Sequence, residues 1–303
     1  MFHFFSRLLT VFKSRQTYFA YLLILPSAAF IAGIVLYPIL YTFYLSFHKM
    51  YLTQPNQIPY IGLKNYIDFI NTSFFWNSIA RTFYFTIVSV GSELLIGLGI
   101  ALLMREKLIG IRFLKMFIII PWAVPTVVNG IMWKWIYNAN YGALNGFLKT
   151  IGIITSYQPW LARPFRAMNF VIIADIWHCT PFVALILFAA LSTIPKSIYD
   201  SAKIDGASAW QCFVRITLPL LNHAILVVII IRTMEAFRVF DIIYVMTGGG
   251  PANGTQVITY YTYLETFSYL HFGRGSALSF LVSGFILIMA LIYIKLLYRK
   301  IEY

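Results

Sequence analysis

The sequence predicts an all-α integral membrane protein built on six transmembrane helices. Three observations carry that expectation. Of 303 residues, 60% are apolar and only 11% are charged, with a mean hydropathy of +0.77, which lies outside the soluble globular range. Intervals free or nearly free of charge fall at about 18–47, 82–104, 116–133, 167–195, 216–231 and 275–294. Each reaches or approaches the roughly 20 residues that cross about 30 Å of hydrocarbon. The loops between them are unevenly basic. Arg7, Lys13, Arg15, Arg105, Lys107, Arg112, Lys115, Lys196, Lys203, Arg215, Lys295, Arg299 and Lys300 fall on one side. The smaller set Lys49, Lys64, Arg81, Lys134, Lys149, Arg163, Arg166 and Arg274 is spread over longer loops on the other. The positive-inside rule then places both termini in the cytoplasm. That bias, with attraction to anionic lipid, accounts for the formal net charge of +13 without nucleic acid.

The expected organisation is a cytoplasmic N-terminus over 1–17, a transmembrane domain over 18–298 and a cytoplasmic tail over 299–303. Within the domain, helices are expected at about 18–47, 78–104, 113–137, 167–194, 217–246 and 275–298, with a cytoplasmic loop at 195–216. The first apolar run contains Pro26 and Pro38 and is about twice the length of a signal-peptide core, so it reads as a signal anchor. After an external loop over 49–77, the second helix holds Gly91, Gly97 and Gly99 with Ser89 and Ser92, small residues that let helices approach. Gly97-Leu98-Gly99 is not a nucleotide loop, because no Lys-Ser/Thr follows it. Trp76, Tyr84 and Phe85 suit an interfacial aromatic belt.

Charges inside the spans are the candidates for function, since a lipid-facing charge is costly. Glu93 has two readings, a partner within the bundle or a place on a solute path. Pro121 and Pro125 predict a kink or local opening in the third helix. The external loop 138–165 carries Trp160, Arg163 and Arg166 and is either a landing surface or a plain connection. In the fourth helix Asp175 and His178 share a face with Trp177 beside them, which fits a wet pore-lining surface or a buried Asp–His hydrogen bond. Five scattered His residues do not make a metal site. Cys179 and Cys212 read as small buried hydrophobes on different elements. In the fifth helix Arg232, Glu235, Arg238 and Asp241 recur every three residues as a stripe that must line water or pair with neighbours. Gly248, Gly249, Gly250 and Pro251 predict a mobile external loop, with Tyr260, Tyr261, Tyr263 and Phe267 as aromatic contacts after it. The last helix carries Ser276, Ala277, Ser279, Ser283 and Gly284 on its outer half.

The polar stretch 197–207 concentrates charge between two apolar segments. Ser197 is read as an N-cap with Asp200 three residues on, giving about two turns of helix. Gly206 is placed to leave that helix with positive φ, a second short helix follows from Ser208, and Pro219 suits the first turn of the next helix.

The order acidic-Ser-Ala-x-x-Asp-Gly-Ala-x5-Phe-x2-Ile-x-Leu-Pro runs through Asp200, Ser201, Ala202, Asp205, Gly206, Ala207, Phe213, Ile216, Leu218 and Pro219. It resembles the Glu-Ala-Ala loop of permease subunits of bacterial ATP-binding-cassette importers, with Asp200 in place of the Glu and Ser201 in place of the first Ala. The run from Ile61 to Tyr66 with Phe75-Trp76, the stretch 114–144 with Pro121, Trp133, Gly142 and Asn145, and the run from Phe240 to Pro251 resemble the carbohydrate-importing branch. The resemblance covers about residues 18–300.

It implies a type I importer permease fold in the bacterial cytoplasmic membrane. It also implies coupling to an ATPase through residues 197–219, and a sugar, polyol or sugar derivative as solute. The implied partners are a second homologous permease, two ATP-binding subunits that hold the ATP and Mg, and an extracytoplasmic substrate-binding protein. No cofactor is expected in this chain, and with no phosphate-binding loop it is not expected to hydrolyse ATP. Glu93, Asp175, Trp177, His178, Glu235, Arg238 and Asp241 are the expected solute-path residues, and Arg232 with Arg238 leaves a phosphorylated or acidic solute open. The alternative is an ion-coupled secondary transporter with a Glu93–Asp175–His178 relay, although no inverted repeat is visible between the halves.

Overall fold

The computed structural model describes residues 15–106 and 110–297. Both expected tails, 1–17 for the most part and 299–303, lie outside the described residues, as does Lys107. The described chain is helical apart from loops and one isolated bridge between His48 and Tyr60. In order it comprises α1 (Arg15–Ile31), a π-turn (Ala32–Leu36), α2 (Tyr37–Ser46), α3 (Lys64–Ile70), α4 (Ser73–Arg105), α5 (Ile111–Ala123) and α6 (Thr126–Ile136). There follow α7 (Ala143–Thr150), α8 (Pro164–Thr193), α9 (Lys196–Ile204), α10 (Ala209–Cys212), a π-turn (Phe213–Thr217) and α11 (Leu218–Phe237). The last elements are α12 (Asp241–Met246), α13 (Ile258–Tyr263), a π-turn (Leu264–Ser268) and α14 (Phe272–Leu297).

Five helical runs are long and apolar enough to cross a membrane, and the bent pair α5–α6 makes a sixth candidate. Helices are what an apolar solvent demands, because each satisfies its own backbone N–H and C=O groups. The third span is not the single helix expected over 113–137. It turns by 98° between Ala123 and Thr126. Pro125 has no N–H and forces Val124 into extended backbone (φ −76°, ψ 128°). Pro121 stays inside α5 without ending it.

The fifth span also differs from the expected 217–246. It stops at Phe237, and α12 starts afresh at Asp241. Phe240 leaves helical geometry (φ −140°, ψ −59°). Its ring packs among Tyr244, Tyr260 and Tyr263 at 5.4, 6.2 and 5.1 Å between centroids. Tertiary packing therefore overrides a sequence that could have continued as helix. The expected loop 49–77 contains α3 and the start of α4, and the loop 138–165 contains α7.

The described chain forms two compact units, one up to Ile67 with Glu265–Phe280, the other Asp68–Leu264 with Leu281 onward. In the first, every residue from Tyr18 to Tyr41 is exposed. An apolar surface of that length belongs against lipid or another chain, not water. Asn65 Nδ2 donates to the Ser46 and His48 carbonyls at 2.9 and 3.0 Å, and Glu265 accepts from Arg274 Nε at 3.0 Å.

The second unit has two apolar layers. One is built around Phe85, Val171, Ile243 and Val257, the other around Ala101, Val183, Leu187 and Leu221. Gly97 sits where α4 and α8 touch, and a Cβ there would lie 2.7 Å from Val183 Cγ1. Gly91 and Gly99 face open space, so close approach explains Gly97 alone of the three. The glycine-rich stretch is tied down at its far end. Thr255 is buried, its Oγ1 donates to the Gly250 carbonyl at 2.8 Å, and Tyr260 lies against Gly249. Of the expected aromatic belt, Trp76 is exposed, Phe85 is buried, and Tyr84 OH donates to Asn169 Oδ1 at 2.8 Å.

Candidate functional site

Between the two apolar layers lies a polar one. Glu93 on α4, Asp175 on α8 and Arg232 on α11 stand at the same level of the bundle. Arg232, only 4% exposed, uses all three guanidinium nitrogens. Nε donates to Glu93 Oε2 at 2.7 Å and Nη2 to Glu93 Oε1 at 2.9 Å, a two-pronged grip. Nη2 also reaches Asp175 Oδ2 at 3.4 Å, and Nη1 donates to Glu235 Oε2 at 2.6 Å. Ser89 Oγ closes the group, 2.8 Å from Glu93 Oε1 and 2.5 Å from Asp175 Oδ2. Arg232–Glu235 is the one adjacent pair of the expected stripe that bonds through its side chains on a single helix.

Beside this layer opens a cavity of about 290 Å³, near the lower end of the range for small-molecule sites. Asp175, His178, Glu235, Arg238 and Asp241, all expected on the solute path, line it. Glu93 does not. It is fully buried on Arg232, which favours the bundle-partner reading over a wet position. Trp177 is also absent from the lining and packs edge-on to Trp133 at 5.8 Å. Asp175 and His178 share the wall without bonding each other. His178 Nδ1 pairs with the Pro121 carbonyl at 2.9 Å, so that nitrogen carries the proton and Nε2 is left for another partner.

The helix break after Phe237 sets Arg238 and Asp241 at two helix ends. Arg238 Nε donates to the Met234 carbonyl at 3.2 Å in the last turn of α11, while Asp241 opens α12 and accepts from Thr126 Oγ1 at 3.1 Å. Both placements suit the sign of the local helix dipole. Glu93, Asp175 and Cys179 also bring ligand atoms within 4.8 Å of one another. Arg232 already pairs with two of these three, so a cation would have to displace an existing one.

Sequence reasoning missed Trp122, Phe182 and Asn129. Trp122 and Phe182 stack at 5.8 Å on the cavity wall. Asn129 is buried and its Oδ1 has no hydrogen-bond partner among the described residues. The available signal was an Asn four residues after Pro125 in an apolar run and a Trp between two prolines.

The stretch 196–212 forms an exposed helical elbow. Ser197 is not the N-cap. Pro195 holds that position with extended ψ of 137°, and Ser197 lies inside α9, so no capping box forms with Asp200. The capping box sits at the second helix instead. Gln211 N donates to Ser208 Oγ at 3.2 Å, and Ser208 N to Gln211 Oε1 at 2.8 Å. The end of α9 is a Schellman turn, with Ala207 N bonded to the Ala202 carbonyl at 2.9 Å and Gly206 N to the Lys203 carbonyl at 3.1 Å. Gly206 supplies the required positive φ of 80°. Asp200, Ser201, Asp205 and Gly206 are exposed, Ala202 and Ala207 half-buried at the turn. Phe213 and Ile216 fall in the π-turn that carries α10 into α11, and Leu218 and Pro219 open α11. Tyr199 anchors the elbow, its OH 3.0 Å from Thr217 Oγ1 and its ring 4.3 Å from the Arg105 guanidinium. At the tip, Ile204 is 86% and Trp210 70% exposed.

Residues 93–302 match the family described as "Binding-protein-dependent transport system inner membrane component". The chain is 39% identical over 293 residues to the trehalose/maltose transport system permease protein MalF of Thermococcus litoralis, covering 96% of this chain and 97% of that one. It is 35% identical over 277 residues to the trehalose transport system permease protein SugA of Mycobacterium tuberculosis, covering 91% and 88%. Among solved structures, a chain of a bacterial ABC transporter involved in the import of the acidic polysaccharide alginate superposes with a TM-score of 0.81. That likeness spans 98% of this chain and 100% of the other at 21% identity, and is a likeness of fold.

Proposed function

The chain belongs to the family of binding-protein-dependent transport system inner membrane components, and from that premise we propose that it is the membrane-spanning subunit of an ATP-driven importer of a sugar or sugar derivative. It forms half of the translocation path in the cytoplasmic membrane, beside a second homologous permease. An external binding protein delivers the solute, and two separate ATPase subunits bind ATP and Mg and perform hydrolysis. Trehalose, maltose and sulfoquinovosyl glycerol are among the solutes named for relatives more than 30% identical to it.

The cavity wall supports a sugar. Asp175, Glu235, Asp241 and Arg238 offer hydrogen-bonding groups to hydroxyls, and Trp122 and Phe240 offer flat apolar faces. The observation that carries the coupling role is the elbow. A polar segment ends in a bare Ile204 and Trp210, so it wants an apolar cleft to cover them. Residues 197–219 act as the lever. ATP binds one global state of the assembly better than the other, and the elbow transmits that difference to α11 through the π-turn and Tyr199.

Co-purification of an ATPase subunit with the tagged chain, and sugar-stimulated hydrolysis in the reconstituted assembly, test this reading. A variant with Asp205→Ala and Gly206→Pro should insert normally, yet lose that stimulation, because Pro cannot take φ of 80°. Unchanged stimulation in that variant would count against the elbow, and solute uptake by the chain alone in liposomes would overturn the assignment. A Glu93–Asp175–His178 proton relay gains no support, because Glu93 is clamped by Arg232 and His178 turns to Pro121.

A further inference from the structure

We infer that the cavity is selective for uncharged polyhydroxy solutes and rejects anionic ones, and that Arg232 is its internal counter-ion, not an anion receptor. The inference rests on the proposed sugar path and deepens it. From sequence, Arg232 and Arg238 left a phosphorylated or acidic solute open. The geometry removes Arg232 from that role. Its Nε, Nη1 and Nη2 are all committed to carboxylates, and three separate carboxyl groups share this single guanidinium. A phosphate arriving there finds at most one uncommitted N–H, on Nη1, and meets Glu235 and Asp175 first. Arg238 remains, but Glu235 and Asp241 line the same wall three residues to either side of it. Asp241 is exposed, and half of the Glu235 side chain is as well.

The neutral groups agree. Asn129 Oδ1 is a buried acceptor with no hydrogen-bond partner among the described residues. His178 donates through Nδ1 to the Pro121 carbonyl, which leaves Nε2 as an acceptor when the ring is neutral. Beside the Arg238 guanidinium, the wall therefore presents the carboxylates of Asp175, Glu235 and Asp241 and the His178 ring as acceptors. A sugar hydroxyl, which brings a proton, satisfies them, whereas a phosphate dianion or carboxylate brings none and is repelled. An acceptor left unpaired in a closed site is itself a penalty against the wrong solute.

The test uses the assembled importer in lipid nanodiscs without its binding protein, so that only the membrane path is read. Saturation-transfer-difference NMR compares trehalose with trehalose 6-phosphate, which share a skeleton and differ in charge. Trehalose should give signals competed away by excess maltose, and the phosphate should bind at least about tenfold more weakly. The Glu235→Gln, Asp241→Asn double variant should narrow that ratio to about threefold or less. Equal or tighter binding of the phosphate by the unmodified importer would overturn the inference, as would a ratio unmoved in the double variant. Failure of both sugars to bind, while cells still take up trehalose through the importer, would overturn it too and leave the transporter assignment standing. Absence of uptake for every sugar tried would instead strike the proposed function.

Discussion

The polar layer around Arg232 and the elbow at 196–212 are the two places where this apolar chain departs from its own composition, in opposite directions. The layer buries charge in an apolar bundle, and every charged group in it is paired with an opposite one. The elbow exposes apolar side chains on a polar segment, and its tip residues Ile204 and Trp210 stay largely uncovered. A buried charge without a partner costs several kcal/mol, so the first region must be complete within the chain. An exposed apolar tip costs far less and gains only when covered, so the second can stay open within this chain, as the proposed docking to an ATPase subunit requires. One region is structure turned inward, the other an unfinished interface.

That contrast can be broken most forcefully at Arg232. Arg232→Met leaves Glu93 and Asp175 buried without their cation and should destabilise the chain by about 3–5 kcal/mol, read as lost membrane accumulation and a lower melting temperature in detergent. Arg232→Met combined with Glu93→Leu should recover most of the loss, and full stability of the single variant would contradict the account. Next comes the helix contact beneath the layer. Gly97→Val must overpack against Val183 and should cost about 1–3 kcal/mol, whereas Gly99→Ala, with open space around it, should match the parent or gain up to about 1 kcal/mol.

The elbow should respond in function, with little change in accumulation. Gly206→Val places a branched side chain at φ of 80°, a strain of about 1–2 kcal/mol, and should lower sugar-stimulated hydrolysis while protein levels hold. Ser208→Ala removes one half of the capping box and should loosen α10 by about 1 kcal/mol, visible as a smaller loss of the same stimulation. If Ser208→Ala proved more damaging than Gly206→Val, the Schellman turn would not be the feature that fixes the elbow.

The elbow was largely legible in the sequence because its determinants are local. A positive-φ glycine, a capping Ser and a Pro in a first turn act over a few residues, and Gly206, Ser208 and Pro219 each sit where those rules place them. Ser197 shows the limit, since Pro195 could begin the helix without any side-chain cap. The polar layer was legible only as a set of residues. Sequence periodicity put Arg232, Glu235, Arg238 and Asp241 on one stripe, but the chain breaks after Phe237, where Phe240 packs on Tyr244 and on Tyr260 and Tyr263 some twenty residues further along. Asn129 and Trp122 gave little signal, because a lone polar or aromatic residue in an apolar run has no local rule attached.

By itself the sequence determined that this is a helical membrane protein with six candidate spans and a conspicuous polar elbow, because hydropathy, charge bias and turn chemistry are written in consecutive residues. Only the tertiary structure decided which carboxylate meets Arg232, where the fifth span breaks, and which polar groups line the cavity. The first of those outcomes rests on a pairing between residues more than a hundred positions apart, Arg232 with Glu93, and no local pattern encodes a partner that distant.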